Sequence, residues 1–356
     1  MSRTTPRSAH WWLSLLLVAL LGIATAACSS DSDSDAGSTT SVAGGSEESS
    51  AEAPDTITIG YQAVPNGDLI VKNQGWLEEA FPDSTIDWKL FASGGDVNEA
   101  VLAGSIDIGL AGSSPVSRGL SSGIEYQVPW IFDVIGDAEA LVVNPDKASS
   151  IEDLAGLTIA TPFASTSHYS LLAALDQAGV DSGDVDIIDA EPDDIFAAWS
   201  RGDIDGAYVW NPNLASIIDD GGEVLITSAD LAADGFTTYD LAVVSNSFAE
   251  EFPDAVQTWV NEQNRAIALI KDDPEAAAEA VAAELDLDPE EAAAQLDDLV
   301  FLDATEQSAP DQLGGGLAES LQSAAEFNAE QGEIDEAAPL DVFQAAVIDT
   351  FAKAAS

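Results

Sequence analysis

EAVLAGSIDIGLAGSSP, residues Glu99–Pro115, and FAAWSRGDIDGAYVWNP, residues Phe196–Pro212, decide the fold of this chain. Each reads as the end of a helix, a turn at Gly104 or Gly202, a short strand opened by Ile-Asp, and a loop. The echo predicts two similar halves, whose equivalent loops face each other across a cleft. Around the two copies, short apolar runs alternate with helical patterns. TITIGYQ (Thr56–Gln62), IDWKLF (Ile86–Phe91), IDIGLAG (Ile106–Gly112), ALVVN (Ala140–Asn144), LTIA (Leu157–Ala160), VDIID (Val185–Asp189) and IDGAYVW (Ile204–Trp210) read as strands. Helices are expected over Asp96–Ala103, opened by an Asp96/Glu99 capping box, and over Ile195–Ser200. The class is α/β with largely parallel sheets. After Asp240 one more strand, LAVVS, gives way to helices that start at Pro253, Pro274 and Pro289. The Ala-rich acidic helices Glu275–Leu285 and Glu290–Leu299 read as structural cladding with no site role.

TPFASTSHYSLLAAL, Thr161–Leu175, joins a turn at Pro162, a row of hydroxyls and a helix start. Free N–H groups at such a start, together with the helix dipole, suit an anion. A capped helix after a strand is also simply a capped helix, and the pattern alone leaves both readings open.

At the N-terminus, Arg3 and Arg7 precede an apolar run from Trp11 to Ile23 and small residues up to Cys28, the pattern of a signal peptide over residues 1–27. Cys28 is the only cysteine, so an internal disulfide is excluded. Its position after Thr25-Ala26-Ala27 resembles a bacterial lipobox, which implies lipid attachment at Cys28 and anchoring to the outer face of the cell membrane. Residues 28–54 are Ser, Gly and acid-rich and are expected to be a disordered tether.

The chain carries 64 acidic and 10 basic residues, a formal net charge of −54, which excludes nucleic acid as a partner. A surface this acidic suits high salt, where repulsion is screened. One histidine, His168, remains after the signal segment, and with the lone cysteine assigned to lipid no zinc, iron or other metal site is expected, nor any cofactor.

IGYQ at Ile59–Gln62, DWKLFASGGDV at Asp87–Val97, SIDIGLAGSSP, EALVV at Glu139–Val143, TPFASTSHYSLLAAL, AAWSRGDIDGAYVW and TTYDLAVVSNSFAEEFPD at Thr237–Asp254 keep one order over Thr56–Asp254. In these motifs the chain resembles the taurine-binding proteins of bacterial ABC importers. The resemblance implies a two-lobe periplasmic-binding-protein-like (type II) fold, each lobe an α/β sandwich, with a helical C-terminal part. Residues 55–137 would begin lobe one, 138–238 form lobe two, and 239–356 return to lobe one and add the C-terminal helices. The crossings fall near Ile135–Ala140 and Ser228–Thr238. The implied activity is capture of taurine, or a related small sulfonate, in the interlobe cleft by a monomer, and delivery to an ABC permease without catalysis.

Taurine needs hydrogen-bond donors at its sulfonate and a carboxylate at its ammonium. Gly112, Ser113 and Ser114 in one lobe and Ser165, Thr166 and His168 in the other are the candidate donors. Asp240, beside Tyr239, is the candidate ammonium partner, Trp210 the candidate cation–π face, and Gln62 a further polar contact. Asn211 would tune preference among aminosulfonates, and Arg118, a turn inside its helix, is expected to face solvent. Three other readings stay open: the same fold around an alkanesulfonate, nitrate or a pyrimidine precursor; an exported hydrolase, which lacks a G-x-S-x-G elbow and would have to use His168; and a scaffold lipoprotein.

Overall fold

In the computed structural model the described residues are 53–355; the signal-peptide, lipobox and most of the tether expectations lie outside them. Two mixed sheets make two lobes. The chain builds β1 (Thr56–Gln62), β2 (Thr85–Phe91), β3 (Ile108–Gly112), β4 (Tyr126–Gln127) and β5 (Ile131–Ile135). It then builds β6 (Glu139–Val143), β7 (Thr158–Thr161), β8 (Asp186–Asp189), β9 (Gly206–Trp210) and β10 (Glu223–Thr227), and returns with β11 (Tyr239–Ser245) and β12 (Leu299–Val300). The first sheet runs β12-β5-β11-β3-β1-β2 with β4 on β11; the second runs β10-β6-β9-β7-β8. The interior strands β3 and β6 are buried along their whole length, as strands covered on both faces must be.

The sheets are less parallel than the alternation suggests. β1–β2, β1–β3, β7–β8 and β7–β9 pair parallel, whereas β11 and β5 in one lobe and β6 and β10 in the other pair antiparallel. The strands next to the crossings lack the strand–helix–strand connection that enforces a parallel pair. A second correction concerns the helix Gly94–Leu102, which starts two residues before the expected Asp96 capping box; Ser93 is its N-cap and makes no side-chain cap bond. The helix expected over Glu290–Leu299 ends at Asp297, and Leu299 begins β12.

The two repeat copies share a base. Asp107 accepts from the Thr58 N–H at 2.8 Å and its own N–H reaches the Thr58 carbonyl at 2.9 Å. Asp205 does the same with Thr158, at 3.0 and 2.9 Å. Each aspartate thus closes a ring that fixes where one strand of its lobe starts beside another. Gly104 and Gly202 supply the left-handed turn before it, at φ 64° and 72°.

Between the lobes, Ile135 N–H donates to the Thr238 carbonyl and Ala229 N–H to the Gly136 carbonyl. The C-terminal part joins them: Asp137 N–H donates to the Asp298 carbonyl, and β12 pairs with β5. The helix Gly316–Glu330 packs on the first lobe through Asn328, which donates to Ser114 and Ser117, while Phe327 makes edge contacts with Tyr169 and Phe236 of the second-lobe segment. The last hundred residues therefore touch both lobes.

Candidate ligand-binding site

A cavity lies between the lobes, where strand ends meet helix starts. Its walls are Gln62, Val64 and Pro65 after β1, Gly94 after β2, Gly112 and Pro115 after β3, Ser165 and Thr166 after β7, and Trp210 and Asn211 after β9. Asp133, Ile135, Ala138, Glu139, Asp240 and Leu299 close it from the crossings.

Helix starts meet at the cavity. The helices Gly94–Leu102, Ser113–Ser121 and Thr166–Ala178 all begin here, and the first two have no side chain capping their N–H groups. Those donors and the positive ends of the helix dipoles favour an anion here. The approach is close: a Cβ on Gly112 would stand 2.6 Å from Thr166 Cγ2, and one on Gly94 2.7 Å from Pro115 Cγ. Glycine at these positions lets backbone and the two lobes come together.

Beside these helix starts the cavity is acidic, since Asp240 pairs with Gly112 across the β11–β3 ladder and Glu139 is bonded to Thr166. Asp133, Glu139 and Asp240 line the cavity, and no Lys, Arg or His does among the described residues. Glu139 is fully buried and accepts from Thr166 Oγ1 at 2.6 Å, Ser228 Oγ at 2.7 Å, Ser167 Oγ at 2.8 Å and Ser170 Oγ at 3.4 Å. Burial raises its pKa, and those four hydroxyls oppose the rise. Asp240 keeps some accessible surface facing the cavity; burial first, and then the Glu139 charge, push its pKa up to about 7. Asp133 is held well above the usual carboxylate range by burial, then by Asp240 and Glu139.

Of the residues expected at the site, Gln62, Gly112, Ser165, Thr166, Trp210 and Asp240 line the cavity. Gln62 is oriented by donating Nε2 to the Leu110 carbonyl at 3.0 Å. The hydroxyls of Thr166 and Ser165 are engaged by Glu139 and by the Pro162 carbonyl, so what the Thr166 helix offers a ligand is backbone. Ser113, Ser114, His168 and Tyr239 do not line the cavity. On the Ser113 helix Gly112 and Pro115 share the cavity face, three residues apart, and the serines between them turn away. Ser113 Oγ accepts from Tyr239 N–H at 3.2 Å and Ser114 Oγ from Asn328 at 3.3 Å. Tyr239 precedes Asp240 on β11, so the strand's alternation points it to the other face. His168 stacks on Phe163 with ring centres 4.5 Å apart, and its Nδ1 lies 3.7 Å from Glu333 Oε2. Glu333 also takes Arg118 at 3.1 Å, so Arg118 is paired where solvent exposure was expected. Asn211 lines the cavity, but its amide is held at both ends, donating to Asp298 and accepting from Ala215 N–H.

Sequence reading missed Asp133 and Glu139. The signal for Asp133 was present: a single charge inside the apolar run Val128–Ile135. Glu139 stands at the head of ALVV, where a strand buried throughout has no place for an unpaired charge.

The sequence model of the NMT1-like family matches residues 50–285. The chain belongs to the NMT1-like family. This NMT1-like chain is 39% identical over 203 residues to the taurine-binding periplasmic protein of Escherichia coli (strain K12), a match that covers 57% of the chain and 62% of that relative, less than two thirds of its length. Among solved structures it is similar to the alkanesulfonate-binding protein SsuA of Xanthomonas axonopodis pv. citri bound to MOPS, with a TM-score of 0.68 and 24% identity over 79% of this chain and 95% of that one. The periplasmic aliphatic sulphonate binding protein SsuA of Escherichia coli gives a TM-score of 0.65 at 24% identity, over 82% and 92%. These two likenesses show that the fold is the two-lobe periplasmic-binding-protein fold.

Proposed function

We propose that the protein captures taurine in the interlobe cavity and hands it to an ABC importer. The observation that carries this reading is the make-up of one cavity: uncapped helix starts and buried carboxylates, with no basic side chain among the described residues that line it. A sulfonate suits the N–H groups of the Gly94, Ser113 and Thr166 helices, an ammonium suits Asp240, and Trp210 offers a ring face to the cation. The taurine-binding relative supports this choice. The ligand would touch both lobes and shift them toward the closed form that a permease recognises.

The reading is tested by calorimetric titration with taurine, ethanesulfonate and nitrate. Taurine is expected to bind well ahead of the other two; equal or better binding of ethanesulfonate or nitrate would keep the fold and overturn the ligand. A second reading, an alkanesulfonate receptor, is favoured by the two SsuA likenesses and disfavoured by the carboxylates. Export, lipidation at Cys28, a monomeric state and adaptation to high salt complete the proposal. The net charge of −54 supports the salt adaptation. Its test is a melting temperature that rises steeply from low to molar KCl; a flat profile would remove it.

A further inference from the structure

Asp133 is the cavity group that the fold leaves unused. It is fully buried, lines the cavity, and neither carboxylate oxygen has a hydrogen-bond partner. Glu139, a few residues on and equally buried, takes four hydroxyls, so the fold had the means to satisfy a carboxylate here and did not apply them to Asp133. Asp133 is the cross-strand partner of Asp240 in the β5–β11 ladder, and both side chains open into the same cavity. Cross-strand neighbours stand about 5 Å apart at Cβ. The pairing sits beside an irregularity: the next residue of β11, Leu241, pairs with Ile131, so Phe132 is an extra residue on β5. Bulges of this kind re-aim side chains near functional sites.

An unpartnered buried carboxylate is destabilising, and two side by side more so, unless a cation sits between them. An ammonium carries three N–H donors, enough for both carboxylates with one left over. We propose that Asp133 is a second acceptor for the ligand's cationic end, so that the ammonium is held between Asp133 and Asp240, amines that keep two N–H donors are selected over the trimethylated form, and binding expels a proton. The inference rests on the aminosulfonate reading and deepens it.

The proton balance follows from the groups that face Asp133. Asp240 comes from β11 and Glu139 from β6; Asp298, next to β12, is bonded to Asn211, and no cationic side chain lines the cavity. In the empty site the Asp133–Asp240 pair retains one proton, in line with the upward shift of both carboxyl groups. When the ammonium enters with its three protons, both carboxylates ionise and that one proton goes to solvent.

The experiment is titration of the protein with taurine, N-methyltaurine, the trimethylated analogue and ethanesulfonate. It is run at neutral pH in two buffers of different ionisation enthalpy, for wild type, Asp133→Asn and Asp133→Ser. Wild type is expected to prefer taurine over the trimethylated form, which has no N–H donor, by about tenfold or more, with N-methyltaurine, which keeps two donors, closer to taurine, and with close to one proton released on taurine binding. Both variants are expected to lose about tenfold for taurine, keep ethanesulfonate affinity, and release markedly less proton. Removing a buried unpartnered carboxyl group should leave them folded, which thermal melting checks. If wild type prefers taurine over ethanesulfonate but the folded variants match it in affinity and proton release, Asp133 has no such role. If wild type shows no preference for taurine over ethanesulfonate, the aminosulfonate reading fails and this inference with it.

Discussion

The base of the repeats and the cavity at their tips use the same kind of residue to opposite ends. At the base, Asp107 and Asp205 each hold a backbone N–H near the start of a strand, and each aspartate's own N–H returns the bond. At the cavity, Asp133 holds nothing, and Asp240 faces open space beside it. The base carboxylates stabilise the fold; those at the cavity weaken it in the absence of ligand. Binding capacity here is stored as unsatisfied charge, and neutralising the two regions should move stability in opposite directions.

The largest expected effect is on pH dependence. Buried carboxyl groups whose pKa is raised in the folded protein, to about 7 for Asp240 and for Asp68, which lies outside the cavity and accepts from Gln263, and also upward for Asp133 and Glu139, keep their protons to higher pH than in the unfolded chain. Between about pH 4 and 7 the folded state therefore binds more protons, and stability falls as pH rises through that window. Chemical denaturation of the empty protein should show a loss on the order of a few kcal/mol from pH 5 to pH 8. Saturating taurine should flatten the profile. A profile that rises with pH would break the contrast.

Next come the point variants. Asp107→Ala and Asp205→Ala should each cost about 1–3 kcal/mol in unfolding, because each orphans a backbone N–H near the start of a strand. Asp133→Asn should raise the unfolding midpoint of the empty protein, since it removes a carboxyl group that ionises in the unfolded chain and must take up a proton to be buried. Loss of stability in Asp133→Asn would place Asp133 with the base residues. Gly112→Ala acts at the tip: its Cβ meets Thr166 Cγ2 and opposes approach of the lobes. Taurine affinity should fall roughly tenfold to a hundredfold, as expected of about 1–3 kcal/mol of overpacking. The smallest effect is expected of Trp210→Leu, a severalfold loss of taurine affinity worth about 0.5–2 kcal/mol of cation–π attraction, with ethanesulfonate little changed.

The base was legible in the sequence because it is written twice: Gly-x-Ile-Asp recurs at Gly104–Asp107 and Gly202–Asp205, and local turn and strand chemistry decide it. Strands β1, β3, β7 and β9 were readable for the same reason. β5 and β10 were not, since Pro129 and Asp133 interrupt the first run and Glu223–Thr227 is a short, half-exposed edge without the apolar alternation of a half-buried strand. At the site, the Gly112, Thr166, Trp210 and Asp240 positions were legible as strand ends and helix starts. Which way each side chain points was not, because that depends on the phase of the helix or strand against the opposite lobe. Ser113, Ser114, His168 and Tyr239 all miss the cavity by that phase, and Thr166 reaches it with its hydroxyl already bound to Glu139, a long-range contact that no local pattern announces.

The central claim, helix starts that hold an anion and carboxylates that hold a cation within one cavity, is tested most directly at Asp240. Taurine and ethanesulfonate share the sulfonate and differ at the ammonium, so calorimetric titration of Asp240→Asn with both separates the two roles. A loss of about tenfold or more for taurine with ethanesulfonate unchanged is the expected result, from one charge-assisted hydrogen bond of roughly 1.5–3 kcal/mol. Equal losses for both ligands would contradict it.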